Sequence, residues 1–345
     1  GLERIEELTR RLGFPQSQLP CCIHISGTNG KGSVAAMLDA ILRQEGRKTA
    51  LFTSPHLQCH TERYRIDGRP ITEERFAMLF GRVYQQIEDM VAEGLASPTE
   101  FEAVTALALL WFAEENVDCA VIEVGLGGLT DSTNVVEANL AIITNVGMDH
   151  MDFLGDTIAE IASYKAGIIK EKSLVVTAAS GEALPVIEAK ATSLKRPLYR
   201  QGQEFSFFDT KLSQQGTTLS VRTGKDYYRH LQLPLLGRHQ LSNAAVAVQA
   251  AELLGVSESS IRAGLATVRW PARLEFLAER TPQILLDGAH NCQGMEALST
   301  ALTDLWPERR IVCLLGMLSD KERQKSLQLL LPHLSRVVVT RPPYL

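Results

Sequence analysis

The sequence lacks an excess of positive charge. It contains 35 Lys and Arg residues against 40 Asp and Glu residues, which gives a formal net charge of -5. Proteins that bind the nucleic-acid backbone carry clustered basic residues, so this balance argues against a nucleic-acid partner. No stretch approaches the ~18 consecutive apolar residues of a membrane-spanning helix, and the first residues include no apolar signal-peptide core. We therefore expect a cytoplasmic protein with no membrane partner.

The cysteines also lack a recognisable pattern. All six, at positions 21, 22, 59, 119, 292 and 313, stand without C-x-x-C spacing and without grouped histidines. This usage indicates reduced thiols and argues against a disulfide framework or a zinc site. Repeats and low-complexity segments are absent as well. What remains is an ordinary globular composition, 45% apolar and 22% charged over 345 residues, enough for two domains.

An apolar run, a glycine-rich turn and a helical pattern follow one another near the N-terminus. Residues 22–33 read CIHISGTNGKGS, and VAAMLDAIL follows. This order predicts a strand, a loop and a helix, in which backbone N–H groups face polyphosphate oxygens and Lys31 adds a positive charge. The motif is a variant of G-x-x-x-x-G-K-[ST], because Ile25 replaces the first glycine and Gly32 follows the lysine. The alternative is a glycine-rich turn with a solvated lysine.

The remaining patterns predict an α/β fold with two domains. Strand and helix patterns alternate up to residue 177, which is typical of a doubly wound, mostly parallel sheet. Residues 204–233 alternate polar and β-branched or aromatic residues, which predicts added antiparallel hairpins. Pro271 marks a linker, so we expect domains at 1–270 and 271–345. The second is a smaller, Rossmann-like α/β unit that looks truncated, because no helix pattern follows its last strand.

Four features sit at the carboxyl ends of consecutive predicted strands: the glycine-rich loop, Ser54, Glu123 and His150. Because the carboxyl ends of parallel strands meet at one edge of the sheet, all four should open onto one crevice. A hydroxyl, a carboxylate and an imidazole beside phosphates suit magnesium, although histidine is an unusual ligand for it. Each residue alone has a structural alternative, since a serine before proline often caps and a lone histidine often packs.

Other polar residues stand where ligands could reach them. Lys165 lies on a predicted helix among small apolar residues, where a lysine that extends its amine to solvent is the default interpretation. Asn243, Arg273 and Asp287 are candidates for binding the nucleoside half of ATP, although their spacing alone does not establish this role.

The chain contains a series of motifs in one order. They are residues 27–33, 53–57, 62–63, 123–128, 131, 133–134, 149–150, 165–167, 271–275 and 287–291. Together these motifs resemble the folylpolyglutamate synthase and dihydrofolate synthase family, within the Mur ligase superfamily. The resemblance implies a monomeric, ATP-dependent ligase of folate biosynthesis. Such an enzyme joins L-glutamate to a folate or to dihydropteroate through an acyl phosphate.

The resemblance also implies roles for single residues. ATP would contact Asn29, Gly30, Lys31, Gly32, Ser33, Asn243, Arg273 and Asp287. Two magnesium ions would be bound by Ser54, Glu123, His150 and a carbamylated Lys165. The pteroate pocket would include Thr99, Phe101, Glu102, Thr130, Asp131 and Ser132. Catalytic roles would fall to Lys31, Lys165 and His290, with Asp320 and Lys321 near glutamate or phosphate.

Two other functions stay open at this point. One is a P-loop ATPase without ligase activity, and the other is a Mur-type muropeptide ligase. Gly32 and the loop Ser54-Pro55-His56 favour the folate branch over the muropeptide branch. The chain looks short at both ends against the family pattern, so we expect a fragment, and a nucleotide-binding fragment without activity is a third possibility.

Overall fold

The larger part of the chain is organised around one eight-stranded sheet. A computed structural model describes residues 1–277, 282–318 and 321–341. The strands of this sheet are Cys22–Ser26 (β1), Thr49–Phe52 (β2), Tyr64–Ile66 (β3), Arg69–Pro70 (β4), Cys119–Glu123 (β5), Leu140–Ile143 (β6), Leu174–Thr177 (β7) and Leu198–Arg200 (β8). Their order is β4-β3-β2-β5-β1-β6-β7-β8, with antiparallel pairing confined to β3 and β4 at one edge. Strand β1 thus lies between β5 and β6, where the winding direction reverses and ligands usually bind.

Helices cover both faces of this sheet. They are Glu3–Arg11 (α1), Lys31–Gln44 (α2), Glu73–Ala92 (α3), Glu100–Glu114 (α4), Met151–Leu154 (α5), Ile158–Ala166 (α6), Ala183–Ser193 (α7), His239–Leu253 (α8) and Glu258–Thr267 (α9). Helices α2, α8 and α9 pack on one face, and α1, α3, α4, α6 and α7 on the other. Strands β1, β5 and β6 are buried throughout, so they appear as continuous apolar runs. This arrangement confirms the predicted doubly wound fold.

The predicted antiparallel hairpins are also confirmed. A three-stranded sheet contains Ser206–Ser213 (β9), Gly216–Arg222 (β10) and Tyr227–Leu233 (β11). Alternate residues Leu219, Val221 and Leu231 are fully buried in the same core as α2 and α8. The period of two in the sequence therefore reflects one buried face and one solvated face.

The second unit has the predicted alternation of strands and helices but looser strand pairing. Its elements are Glu275–Leu277 (β12), Ile284–Leu286 (β13), Cys292–Leu305 (α10), Ile311–Gly316 (β14), Arg323–Leu330 (α11) and Leu334–Thr340 (β15). Over the described ranges, β12 pairs antiparallel with β13, and β14 pairs parallel with β15. Leu236 shares a core with Leu274 and Met295 of this unit. The domain boundary at residue 270 stays a prediction.

None of the helices in the described ranges is both long and apolar enough to cross a membrane. The longest, α3, has 20 residues. It is amphipathic, because Leu79, Val83, Ile87 and Met90 are buried while residues such as Tyr84 face solvent. This spacing of three to four residues is that of a surface helix.

Helix α6 depends on a capping box at its N-terminus. Thr157 Oγ1 accepts from the Glu160 N–H at 3.2 Å, and Glu160 Oε2 accepts from the Thr157 N–H at 3.1 Å. We expect Thr157→Ala to lower the free energy of unfolding by about 1 kcal/mol, because these amides lose a partner. Urea denaturation measures the loss. Thr192→Ala, at an exposed position of α7, is the control, and an equal loss there would contradict the capping role.

Candidate active site

A cleft of about 390 Å³ opens at the carboxyl ends of β1, β5 and β6. Residues from the second unit close its far side. It brings together every residue predicted to bind ATP or metal or to act in catalysis: Asn29, Gly30, Lys31, Gly32, Ser33, Ser54, Glu123, His150, Lys165, Asn243, Arg273, Asp287 and His290. The predicted grouping of the strand ends around one crevice is therefore present in the fold.

The glycine-rich loop leads directly into α2. Gly30 is its N-cap and has φ 85°, a left-handed conformation that favours glycine. A Cβ atom on Gly30 would lie 2.4 Å from Asn243 Oδ1, so glycine also permits this close approach. The Lys31 ammonium donates to the carbonyls of Gly27 at 3.0 Å and Thr28 at 3.3 Å. Unpaired N–H groups at the start of a 14-residue helix and this cation make an anion site.

The segment after β6 holds the loop in this shape. The Asn145 carbonyl accepts from Thr28 N at 3.0 Å, and Asn145 Oδ1 accepts from Asn29 N at 2.8 Å. Thr144 Oγ1 donates to the Asn29 carbonyl at 2.6 Å, and Gly147 N donates to Thr28 Oγ1 at 2.9 Å. The loop is thus braced by the neighbouring strand end. The sequence gives one signal for Asn145, its place just after a predicted strand.

Trp270 explains the unusual glycine after the lysine. A Cβ atom on Gly32 would lie 2.9 Å from the Trp270 indole nitrogen. The Arg65 guanidinium lies 5.8 Å from the centroid of the same indole, within the range of a cation–π contact. Gly32 therefore lets Trp270, from the linker before residue 271, approach the first turn of α2. No pattern in the sequence indicates this role for Trp270.

Gly32→Ala should consequently disturb the phosphate end of α2. The added methyl group collides with Trp270, which has to move or push the first turn of α2 aside. We expect a higher KM for ATP, measured from initial rates of phosphate release. Gly81→Ala is the control, because a Cβ atom there meets nothing within 4 Å. An unchanged KM in Gly32→Ala would show that the contact with Trp270 does not shape the ATP site.

Glu123 ends β5 and is buried at the edge of the cleft. Its Oε2 accepts from the Ser54 N–H at 3.2 Å. Burial raises the pKa of Glu123, and the nearby positive charges of Lys31 and Arg273 oppose this shift. The carboxylate therefore needs cations close by to stay ionised.

The predicted magnesium site would need ligands other than His, Cys, Asp and Glu side chains. In the three described ranges, no group of three His, Cys, Asp or Glu side chains is placed to hold a metal ion. His150, at the start of α5, is exposed, and partial desolvation of its imidazole lowers its pKa. A magnesium site here would have to combine Glu123 and His150 with the Ser54 hydroxyl and with Lys165.

Lys165 has the chemistry that such a role requires. It is 3% exposed, in the last turn of α6. Burial, together with the charge of Lys31, lowers the pKa of Lys165 to about 7, against a smaller opposite effect of Asp149. A substantial fraction of the amine is thus neutral at neutral pH, and a neutral amine is the form that reacts with carbon dioxide. Lys165 therefore does not extend its amine to solvent, which was the default interpretation from the sequence.

Side chains of the second unit reach the glycine-rich loop and Asp149. Asn291 Nδ2 donates to Asp149 Oδ2 at 2.7 Å, and Lys321 Nζ lies 3.4 Å from Asp149 Oδ1. Asn29 Nδ2 donates to Gln293 Oε1 at 2.9 Å. These contacts close the cleft with groups from both units. Asp320, which was predicted to lie nearby, falls outside the described residues.

Arg273, Asp287 and His290 are held by local backbone contacts. Arg273 Nη1 donates to the Ala272 carbonyl at 2.9 Å. Asp287 accepts from two backbone amides, Leu274 N at 3.0 Å and Ala289 N at 2.8 Å. The exposed His290 lies with Nδ1 2.9 Å from the Gly288 carbonyl. All three line the cleft.

The residues predicted for the pteroate pocket do not line this cleft, and three of them have structural partners. Thr99 and Glu102 form the capping box of α4, and Glu102 also pairs with Arg4 at 2.9 Å. Asp131 accepts from Leu126 N at 2.8 Å and so fixes the loop after β5. These contacts explain why Thr99, Glu102 and Asp131 are polar residues, even if none of them binds a ligand. A substrate role for them stays a prediction.

The other three differ in their access to the cleft. The Phe101 ring would lie 2.5 Å from a Cβ atom on Gly125, which lines the cleft. Thr130 is exposed, whereas Ser132 is buried. Phe101 therefore packs against a residue of the cleft wall.

Comparison with known proteins agrees with this geometry. The Mur ligase middle domain matches residues 25–251, and the Mur ligase glutamate ligase domain matches residues 272–344. The dihydrofolate synthase/folylpolyglutamate synthase of Bacillus subtilis is 39% identical over 336 residues, covering 95% of this chain and 78% of the relative. The folylpolyglutamate synthase of Lacticaseibacillus casei is 38% identical over 327 residues, covering 92% of this chain and 76% of the relative.

Solved structures show the same relationship. Mycobacterium tuberculosis folylpolyglutamate synthase complexed with ADP aligns with a TM-score of 0.94 at 36% identity, covering 99% of this chain and 78% of that chain. An FPGS–AMPPCP–folate complex aligns with a TM-score of 0.93 at 37% identity, covering 99% of this chain and 84% of that chain. The chain therefore belongs to the Mur ligase family, in its folylpolyglutamate synthase and dihydrofolate synthase branch.

Proposed function

We propose that this chain is an ATP-dependent ligase that joins the amino group of L-glutamate to a carboxylate of a folate, and that dihydropteroate is a second acceptor. The observation that carries the proposal is the cleft in which the glycine-rich loop, a buried carboxylate and a buried lysine converge. Relatives over nearly the whole chain carry both enzyme names. This similarity also favours the folate branch over a muropeptide ligase.

The reaction needs an activated carboxylate, because resonance and negative charge make a free carboxylate a poor electrophile. Transfer of the γ-phosphoryl group of ATP to the acceptor carboxylate gives an acyl phosphate with a good leaving group. Lys31 and the N-terminus of α2 stabilise the charge on the transferred phosphoryl group. The neutral glutamate amine then attacks the acyl carbon, the phosphate leaves, and an amide forms.

Magnesium would be held by Ser54, Glu123, His150 and Lys165 carrying a carbamate. The pairing of buried Glu123 with Ser54 and the lowered pKa of Lys165 fit this group. Bound magnesium supplies Lewis-acid stabilisation of the phosphoryl oxygens. Lys165 contributes a ligand once its neutral amine has bonded to carbon dioxide and lost a proton, which replaces a cation by an anion.

The second unit would exclude water from the acyl phosphate. Asn291 and Lys321 contact Asp149 across the cleft, and Gln293 contacts Asn29. Closure over the substrates limits hydrolysis of the activated carboxylate. A cytoplasmic location and a monomeric state stay predictions.

Phosphate release tests the proposal. With ATP and magnesium present, we expect release only when a reduced folate or dihydropteroate and L-glutamate are both supplied, with the amide product detected by mass spectrometry. Phosphate release that requires neither the folate or dihydropteroate nor L-glutamate would mean an ATPase without ligase chemistry. Amide formation with a muropeptide precursor and none with pterins would indicate the other branch.

A further inference from the structure

Two thiols lie side by side at the amino ends of β1 and β5, the edge of the sheet opposite the cleft. Cys21 immediately precedes β1, and Cys119 is the first residue of β5. Their sulfur atoms are 3.1 Å apart. We propose that Cys21 and Cys119 are a modification site, a dithiol that hydrogen peroxide converts to an intramolecular disulfide.

The backbone already has the spacing that a disulfide needs. Cys22 pairs with Ala120 in the parallel ladder between β1 and β5, and Ala120 N donates to the Cys21 carbonyl at 2.8 Å. Cys21 and Cys119 are therefore neighbours one step before this pair. Adjacent strands lie roughly 4.8 Å apart, within the ~4.4–6.8 Å between Cα atoms in disulfides. The strand spacing therefore falls within the range that a disulfide needs.

The alternation of side chains selects this pair. Cys119 belongs to the core on the α2 side of the sheet, and Cys21 packs against the same core. Cys22 is fully enclosed on the other face, in the core with α1 and α4. Because successive strand residues point to opposite faces, Cys22 cannot compete for either thiol.

The two thiols differ in reactivity. The Cys119 thiol donates a hydrogen bond to the Cys21 sulfur, and this bond, with the charge of Arg47, holds the pKa of Cys21 below its usual value. The same bond and burial raise the pKa of Cys119. Cys21 is also only partly buried, whereas Cys119 is buried. Cys21 is thus the nucleophile that meets the oxidant.

The oxidation is balanced with hydrogen peroxide as the oxidant. The Cys21 thiolate attacks one peroxide oxygen, the O–O bond breaks, hydroxide leaves, and Cys21 becomes a sulfenic acid. The Cys119 sulfur then attacks the Cys21 sulfur, the S–S bond forms, and the S–O bond breaks. The departing hydroxide takes up the thiol proton as water. Two thiols lose two electrons in all, and one peroxide becomes two waters.

The new bond would link residues 98 positions apart at the edge of the sheet away from the cleft. Closing so long a loop constrains the unfolded chain strongly. We therefore expect oxidation to raise Tm by roughly 5 °C. Catalysis should not change, because the carboxyl ends of β1 and β5 keep their positions.

The experiment treats the whole protein with hydrogen peroxide, unfolds it, alkylates the remaining thiols and measures intact mass and peptides. We expect two of the six cysteines to escape alkylation, a Cys21–Cys119 cross-linked peptide, and full reversal by dithiothreitol. Cys21→Ser should abolish the cross-link and the rise in Tm. Cys59→Ser, at an exposed cysteine, is the matched control and should keep both.

Three outcomes would overturn the proposal. One is that Cys21 and Cys119 remain fully alkylated while peroxide oxidises Cys59. Another is a cross-link that joins a different pair or two molecules. The third is an irreversible loss of Cys21 as sulfinic acid with no cross-linked peptide. Peptide mapping of the wild-type protein gives these answers even if Cys21→Ser does not fold.

Discussion

Lys31→Ala should lower ATP turnover by about 10²–10³-fold, the usual effect of removing one preorganised charge-stabilising donor. The amine of Lys31 bonds the carbonyls of Gly27 and Thr28, so it lies within the loop that we propose to bind the nucleotide phosphates. As the phosphoryl group transfers, negative charge builds on its oxygens, and without Lys31 the cleft loses a fixed cation beside them. Steady-state phosphate release, with a reduced folate and L-glutamate both present, measures the effect.

The fold should survive this substitution. Lys31 is partly exposed, and the hydrogen bonds from residues 144–147 brace the loop without the Lys31 side chain. Circular dichroism and the urea midpoint should therefore match the wild type. Lys172→Ala, at an exposed turn, controls for loss of a surface charge. Turnover of Lys31→Ala close to that of Lys172→Ala would refute the phosphate assignment of the loop.

Lys165→Ala should remove most ligase activity, and millimolar acetate should restore part of it. The substitution leaves a space at the end of a buried side chain that is 3% exposed. If the lysine acts as a carbamate, a small carboxylate entering this space supplies the missing anionic oxygens. Initial rates of amide formation against acetate concentration measure the rescue.

The identity of the rescuing molecule distinguishes two roles of Lys165. Methylamine at the same concentration should be ineffective, because it supplies a cation where the proposal needs an anion. Rescue by the amine and not by acetate would mean that Lys165 acts as a protonated or neutral amine. Lys211→Ala, at an exposed strand position, should keep full activity and show no response to either compound.

The central elements could be predicted from the sequence because burial leaves a plain pattern. Strands β1, β5 and β6 are enclosed on both faces, so nearly every residue is apolar. Helix α4 is buried almost all round, and its composition indicated this directly. The positions of Ser54, Glu123 and His150 followed from the same pattern, since Glu123 ends β5, and Ser54 and His150 lie in the segments that follow β2 and β6.

Contacts between distant segments could not be predicted in this way. Trp270 approaches Gly32, and Asn145 braces Asn29, only because the fold brings these segments together. The short strands β3, β4 and β8 have two or three residues, too few for a period to be recognised. The pairing of β13 with β12 could not be predicted either, because the three half-buried residues of β12 give too weak a pattern to identify it as a strand.

The brace between residues 144–147 and the glycine-rich loop has a thermodynamic consequence. Four hydrogen bonds fix Thr28 and Asn29, so the loop loses its conformational freedom when the chain folds. Nucleotide binding then carries little of the entropy loss that ordering a flexible loop would add. Calorimetric titration with an ATP analogue should therefore show a more unfavourable binding entropy for Asn145→Ala than for the wild type.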